Sequence, residues 1–225
     1  MFEPGGYRTA RTWKAPVSMK ITSTMVRSVT SIESKIRRWV AAHEAGHAAV
    51  SLALGQGHQE GVVLSLDGDV LGSHVVGHQM DFAVLPRPLA LFNGVRHAMV
   101  SLAGPMAQAK AEGVEFDISE FLAGIGEPGS DAAQVARAVD VLARHLHLRE
   151  AACLLVEDLV EATASVLGRP DVTALAEAIA QALIRRGRVG GDGLDQMLSR
   201  YPIAHELVTV PRDMVRRWEL SAVAS

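Results

Sequence analysis

His43, Glu44 and His47 stand at the spacing H-E-x-x-H, in the stretch His43-Glu44-Ala45-Gly46-His47. On a helix, residues four apart share one face, so both imidazoles can reach a single divalent cation. Glu44 sits next to that face, close enough to hold a water and take its proton. The chemistry these residue types predict is zinc-assisted hydrolysis. Apolar, helix-forming flanks, Trp39-Val40-Ala41-Ala42 and Ala48-Ala49-Val50-Ser51-Leu52-Ala53-Leu54, predict a core helix around the motif. The competing explanation is a chance pentapeptide in a buried helix, its histidines bonded to backbone carbonyls.

Two histidines leave a zinc ion short of a protein ligand. A histidine six residues beyond His47 would extend the motif in the metzincin manner, but that position is Ala53. Glu112 and Glu120 are available further on, with nothing in their surroundings to single them out. Asp67 and Asp69 lie in a tight turn and are better explained by it. Asp131 is the stronger candidate, at the first turn of a helix after the glycine-rich Gly124–Gly129 stretch. A carboxylate there is equally well explained by the helix macrodipole. On spacing alone the two explanations stand level.

The elements that must position these residues are mostly helical. Ser31, Ser28 or Thr30 can start a helix that joins or precedes the motif helix, which ends near Gly55-Gln56-Gly57. Val62–Leu66 and Val70–Val76, separated by Asp67-Gly68-Asp69, predict a hairpin. Residues 77–87 read as a loop, with Pro86 and Pro88 as breakers. A helix follows from Leu89 to Glu112, bent at Gly104-Pro105. Residues 113–130 are expected to form a long loop. Beyond Ser130, a good N-cap, the apolar period predicts helices to Leu142 and beyond, over 150–167, after the cap-like Asp171 to Arg186, and over 191–200.

The expected fold is therefore mainly α with a small β-hairpin or sheet. A single domain spans 31–225, with the metal site within 39–131 and a helical bundle over 131–225. Residues 1–30, carrying Arg8, Arg11, Lys14, Lys20 and Arg27 against Glu3, are expected to be a flexible basic arm.

A net charge of −3 gives no reason to expect nucleic-acid binding. The lone Cys153 cannot close an internal disulfide, which suits a reducing compartment. No apolar run is long enough to span a bilayer, and charged and glycine residues interrupt any signal-peptide core near the start. A cytoplasmic location is expected.

Ala42-His43-Glu44-Ala45-Gly46-His47-Ala48-Ala49-Val50 resembles the motif helix of the FtsH-type ATP-dependent zinc metalloproteases. Three further blocks follow in that family's order. Val62–Gly72, with Val70-Leu71-Gly72, resembles its strand pair, and Ser101-Leu102-Ala103-Gly104-Pro105-Met106-Ala107 its L-x-G-R-A-A-E helix. Gly129-Ser130-Asp131 with Ala133-Gln134 is similar to its G-A-x-x-D-L segment. The resemblance covers roughly residues 35–200. It implies Asp131 as third zinc ligand beside His43 and His47, Glu44 as the catalytic base, and a mainly helical, zincin-like peptidase fold with an edge strand that aligns a polypeptide substrate.

Two departures stand out. Pro105 and Gln108 replace the family's Arg and Glu in the central helix. No G-x-x-x-x-G-K-[ST] occurs, so the chain resembles the peptidase part alone, with a separate AAA+ ATPase as an expected partner. The family's hexameric rings are held in part by motor domains, so a smaller homo-oligomer and a monomer both stay open.

The alternative from a different class is a catalytically silent zinc-binding regulatory or interaction module, against which the intact Glu44 argues. Gly124-Ile125-Gly126-Glu127-Pro128-Gly129 matches G-x-G-x-x-G, but the acidic 114–122 segment makes a poor strand before it and Pro128 lacks a donor. His145 and His147 lie on different helix faces. His74, His78 and His97 can line a cleft, but a strand edge, a loop and a helix surface explain them as well.

Overall fold

The computed structural model describes residues 23–56, 61–64, 73–75, 82–148, 150 and 152–224. The Asp67-Gly68-Asp69 turn, His58, His78 and residues 1–22 of the expected arm lie outside them. The described chain is mainly helical with one small antiparallel sheet.

Helix α1 runs unbroken over Ser23–Ala53 and carries the H-E-x-x-H motif. The expected first helix and motif helix are thus one element, which begins inside the segment assigned to the arm. Its motif half is rich in alanine, and Ala41, Ala45, Ala48, Ala49, Val50 and Ala53 are buried. Small side chains let a neighbouring helix come close, and α2 (Arg87–Glu112) does so. Helix α2 is the core's centre: Leu91, Val95, Ala98, Met99 and Leu102 are buried along it, and it packs against α1 and three later helices. Pro86 precedes it and Pro88 lies in its first turn, where a missing N–H costs nothing. Pro105 falls inside, yet the helix continues through it.

Strands β1 (Gly61–Val63) and β2 (Ser73–Val75) pair antiparallel, with Val62 opposite His74. A third strand, β3 (Arg188–Val189), pairs with the other edge of β1. The order β2-β1-β3 places the expected hairpin's first strand in the middle. Gly61 (φ +91°) is needed at that junction, because a Cβ there would run into the Val189 carbonyl.

The expected 113–130 loop contains a short helix, α3 (Ile118–Ala123), capped by the Asp117 carboxylate, which accepts from the N–H groups of Ser119 and Glu120. A 3-10 turn over Gly124–Gly126 follows. A helix stands where a dinucleotide fold needs a strand, so the G-x-G-x-x-G match is a turn. Ser130 caps α4 (Asp131–Leu146) by accepting from the Ala133 N–H, as expected. Helix α5 is Ala152–Gly168. Helix α6 is Pro170–Arg186, where Arg169 rather than Asp171 holds the N-cap position. Helix α7 (Gly191–Arg200) and α8 (Val210–Ala224) complete the chain. Helix α8 is tied back by an ion pair between Glu219 and Arg87 at 2.8 Å and by a hydrogen bond from the Trp218 indole to Asp158 at 2.5 Å. Among the described residues, no helix is long and apolar enough to cross a membrane.

Candidate metal centre

Three elements deliver the site. Helix α1 supplies His43 and His47 one turn apart, α4 supplies Asp131 from its first turn, and α2 lies against both. His43 Nε2 and His47 Nε2 are 3.0 Å apart. Asp131 Oδ2 lies 3.0 Å from the first and 3.3 Å from the second. Together these side chains form a group able to hold a metal ion. Glu112 and Glu120 stay outside it: both are exposed, Glu112 at the end of α2 and Glu120 in the first turn of α3.

Hydrogen bonding fixes which nitrogens face inward. His47 Nδ1 lies 2.7 Å from the Val100 carbonyl oxygen, which can only accept, so Nδ1 carries the proton. His43 Nδ1 lies 3.1 Å from Gln108 Oε1, also an acceptor. In the neutral imidazoles both Nε2 atoms therefore present lone pairs to each other and to a carboxylate oxygen. Three lone-pair-bearing atoms at 3.0–3.3 Å repel unless a cation sits among them. For four-coordinate zinc with bonds of about 2.0–2.1 Å, ligand atoms stand about 3.3 Å apart, so the spacing fits. Glu44 points the same way: it is buried, and its Oε2 has no hydrogen-bond partner among the described residues. A buried carboxylate oxygen without a partner is costly and marks a place for water or a ligand. The residues present fit a divalent metal.

Without a metal, protons take over part of this role. Burial raises the Glu44 carboxyl above its ordinary value, against the pull of His47 and His43. Burial alone would lower His47, but the hydrogen bond and charge of Asp131 carry it up to about 9. Asp131 is likewise opposed by burial, and its hydrogen bonds to His43 and His47 hold it well below the usual carboxylate range.

Helix α2 contributes more than sequence reasoning assigned to it. His97, Ser101, Gly104 and Gln108 recur at helical spacing, so they share the face turned towards α1 and α4. Gly104 is where the His47 ring rests: a Cβ there would lie 2.5 Å from its Cε1. Gly46 is packed as closely on the opposite helix, since its Cβ would meet the Ala103 carbonyl oxygen at 2.5 Å. Gly104, noted in the sequence as part of an expected bend with Pro105, gives the His47 ring its clearance. His97 is partly buried, its ring 5.1 Å from that of Phe82. Burial and the Arg137 charge lower its pKa, and Asp131 acts in the opposite direction. His145 is half-buried near the end of α4, and the exposed His147 caps that helix with φ +58°. Cys153 is exposed and unpaired with any other cysteine.

Comparison with known proteins finds no matching family model and no matching curated protein.

Proposed function

We propose that the chain is a zinc-dependent endopeptidase of the FtsH type, hydrolysing peptide bonds in unfolded or loosely folded polypeptides. One observation carries this reading: His43 Nε2, His47 Nε2 and Asp131 Oδ2 converge within 3.3 Å of one another, beside a buried Glu44 whose Oε2 lacks a partner among the described residues. Two imidazoles and a carboxylate also serve non-haem iron. Glu44 favours zinc hydrolysis, because a carboxylate poised on the next residue is what water activation requires.

When bound, zinc supplies Lewis acidity towards a water and a scissile carbonyl. The remaining work falls to the protein. His43 and His47 are held in their Nδ1-protonated tautomers by Gln108 and Val100, and Asp131 offsets part of the cation's charge. Glu44 takes the proton of the attacking water and passes it to the leaving amine. β1 is paired on both sides, so an extended substrate aligns on the outer edge of β2 through main-chain hydrogen bonds, with weak sequence preference. Unfolding a stable domain costs about 5–15 kcal/mol. On this reading that work calls for an AAA+ ATPase as partner.

The test pairs metal analysis with cleavage of an unfolded protein. Wild type should hold zinc and cleave; Glu44→Gln should keep its zinc and lose on the order of 10²–10⁴-fold in rate. Asp131→Ala should lose the zinc. Wild-type turnover by a zinc-loaded Glu44→Gln protein would refute the assignment. Bound zinc with no cleavage of any unfolded protein by wild type would replace it with the silent zinc-binding regulatory module.

A further inference from the structure

The His43 tautomer depends on which end of the Gln108 amide faces the ring, and an amide by itself offers an acceptor or a donor with equal ease. If Nε2 faced His43, it would select the tautomer with a bare Nδ1 and a proton on the metal-facing nitrogen. Something must hold the amide the right way round. Gln108 Nε2 lies 2.6 Å from Glu112 Oε1. An ionised carboxylate can only accept, so the nitrogen end must point to Glu112 and the oxygen end to His43, 3.1 Å away.

Glu112 is otherwise oddly placed. It is the last residue of α2, where unpaired carbonyls make the helix end negative and a carboxylate is unfavourable. Gln108 and Glu112 stand one turn apart on α2, so the row Glu112–Gln108–His43 is set by helical spacing. The geometry points to a two-residue positioning relay: Glu112 orients the Gln108 amide, which fixes the His43 tautomer and so presents Nε2 to the cation. Neither residue touches the metal; each acts through His43. The sequence offered Glu112 as an alternative third ligand, and the structure places it two hydrogen bonds away from the His43 Nδ1, on the side of the ring opposite Nε2. The relay rests on the reading that His43, His47 and Asp131 hold a divalent cation, but not on peptidase activity.

The experiment is zinc affinity by chelator competition, with metal-free melting curves to establish that each variant folds. Gln108→Leu should raise the zinc Kd by about 10–100-fold, the usual effect of losing a partner behind a metal-bound histidine. Glu112→Ala should raise it by a smaller factor, at least about threefold, because the amide is then free to flip. In the Gln108→Leu background, Glu112→Ala should have no further effect, since the two residues act in series. The exchange variant, Gln108→Glu with Glu112→Gln, keeps an acceptor on His43 and should restore wild-type affinity or better. Independent, additive losses, an exchange variant that stays weak, or an unchanged Kd in either single variant would overturn the relay. Failure of the wild type itself to bind zinc would instead overturn the metal centre.

Discussion

Replacing Gly104 by alanine adds one methyl group where the His47 ring lies. The new Cβ would stand 2.5 Å from His47 Cε1 and 2.8 Å from Cδ2. Carbon atoms in van der Waals contact lie about 3.5–4.0 Å apart, so the ring and α2 must separate by roughly 1 Å. The ring cannot simply swing aside, because its Nδ1 is held on the Val100 carbonyl at 2.7 Å. Metal–ligand distances tolerate only about 0.2 Å, so a 1 Å shift of one ligand should raise the zinc Kd by about 100-fold or more. Overpacking of this kind also costs about 1–3 kcal/mol of stability. Two glycine variants supply the comparison. Gly46→Ala strikes the α2 backbone rather than a ligand, so its principal effect should be on the melting temperature. Gly126→Ala meets nothing within 4 Å among the described residues and should change neither property. Zinc competition and thermal melts on the three variants decide the matter. A Gly104→Ala protein binding zinc within threefold of wild type would refute this account of the helix crossing.

Two further outcomes follow from the same geometry. In the metal-free protein, His47 is raised from 6.5 to about 9, so its contribution to stability is complete below pH 6.5 and is lost as pH climbs through 9. Asp131 is depressed from 3.8, so its contribution is present above that value and is lost as pH falls towards its folded pKa. Melts in chelator should therefore show this pair stabilising most between about pH 4 and 6.5, whereas zinc affinity should rise from pH 6.5 to 9 as the competing proton leaves. A chelated protein with a flat melting temperature from pH 6 to 9.5, the rest of its titration being accounted for, would contradict it. Between α5 and α8, Asp158→Ala strips the buried Trp218 indole N–H of its acceptor and should cost about 1–3 kcal/mol in urea unfolding, with zinc affinity unchanged.

Helix positions were legible wherever a local signal set them. Ser130 announced α4 by its cap, and the alanine-rich flanks of His43 and His47 announced a buried motif helix. Asp117 also carried a cap signal, with Glu120 three residues later, but the surrounding glycines masked a helix of a single turn and a half. The two residues of β3 carried no local signal at all, because their strand state depends on β1 more than a hundred residues earlier. The histidine pair could be read from its spacing. Asp131 could not be separated from an ordinary helix-start aspartate by spacing, since only the packing of α4 against α2 brings it to α1. Gln108 was visible merely as a departure from a family pattern; its partners lie across a helix interface and one turn along, and no sequence window contains both.

The pairing of Arg188-Val189 with Val62-Val63 has a consequence for biosynthesis. A ribosome releases the first strand long before the second, and closing so long a loop carries an entropic cost until β3 arrives. The central strand stays half-paired until β3 emerges. The three-stranded sheet is thus completed only after His43, His47 and Asp131 have all emerged.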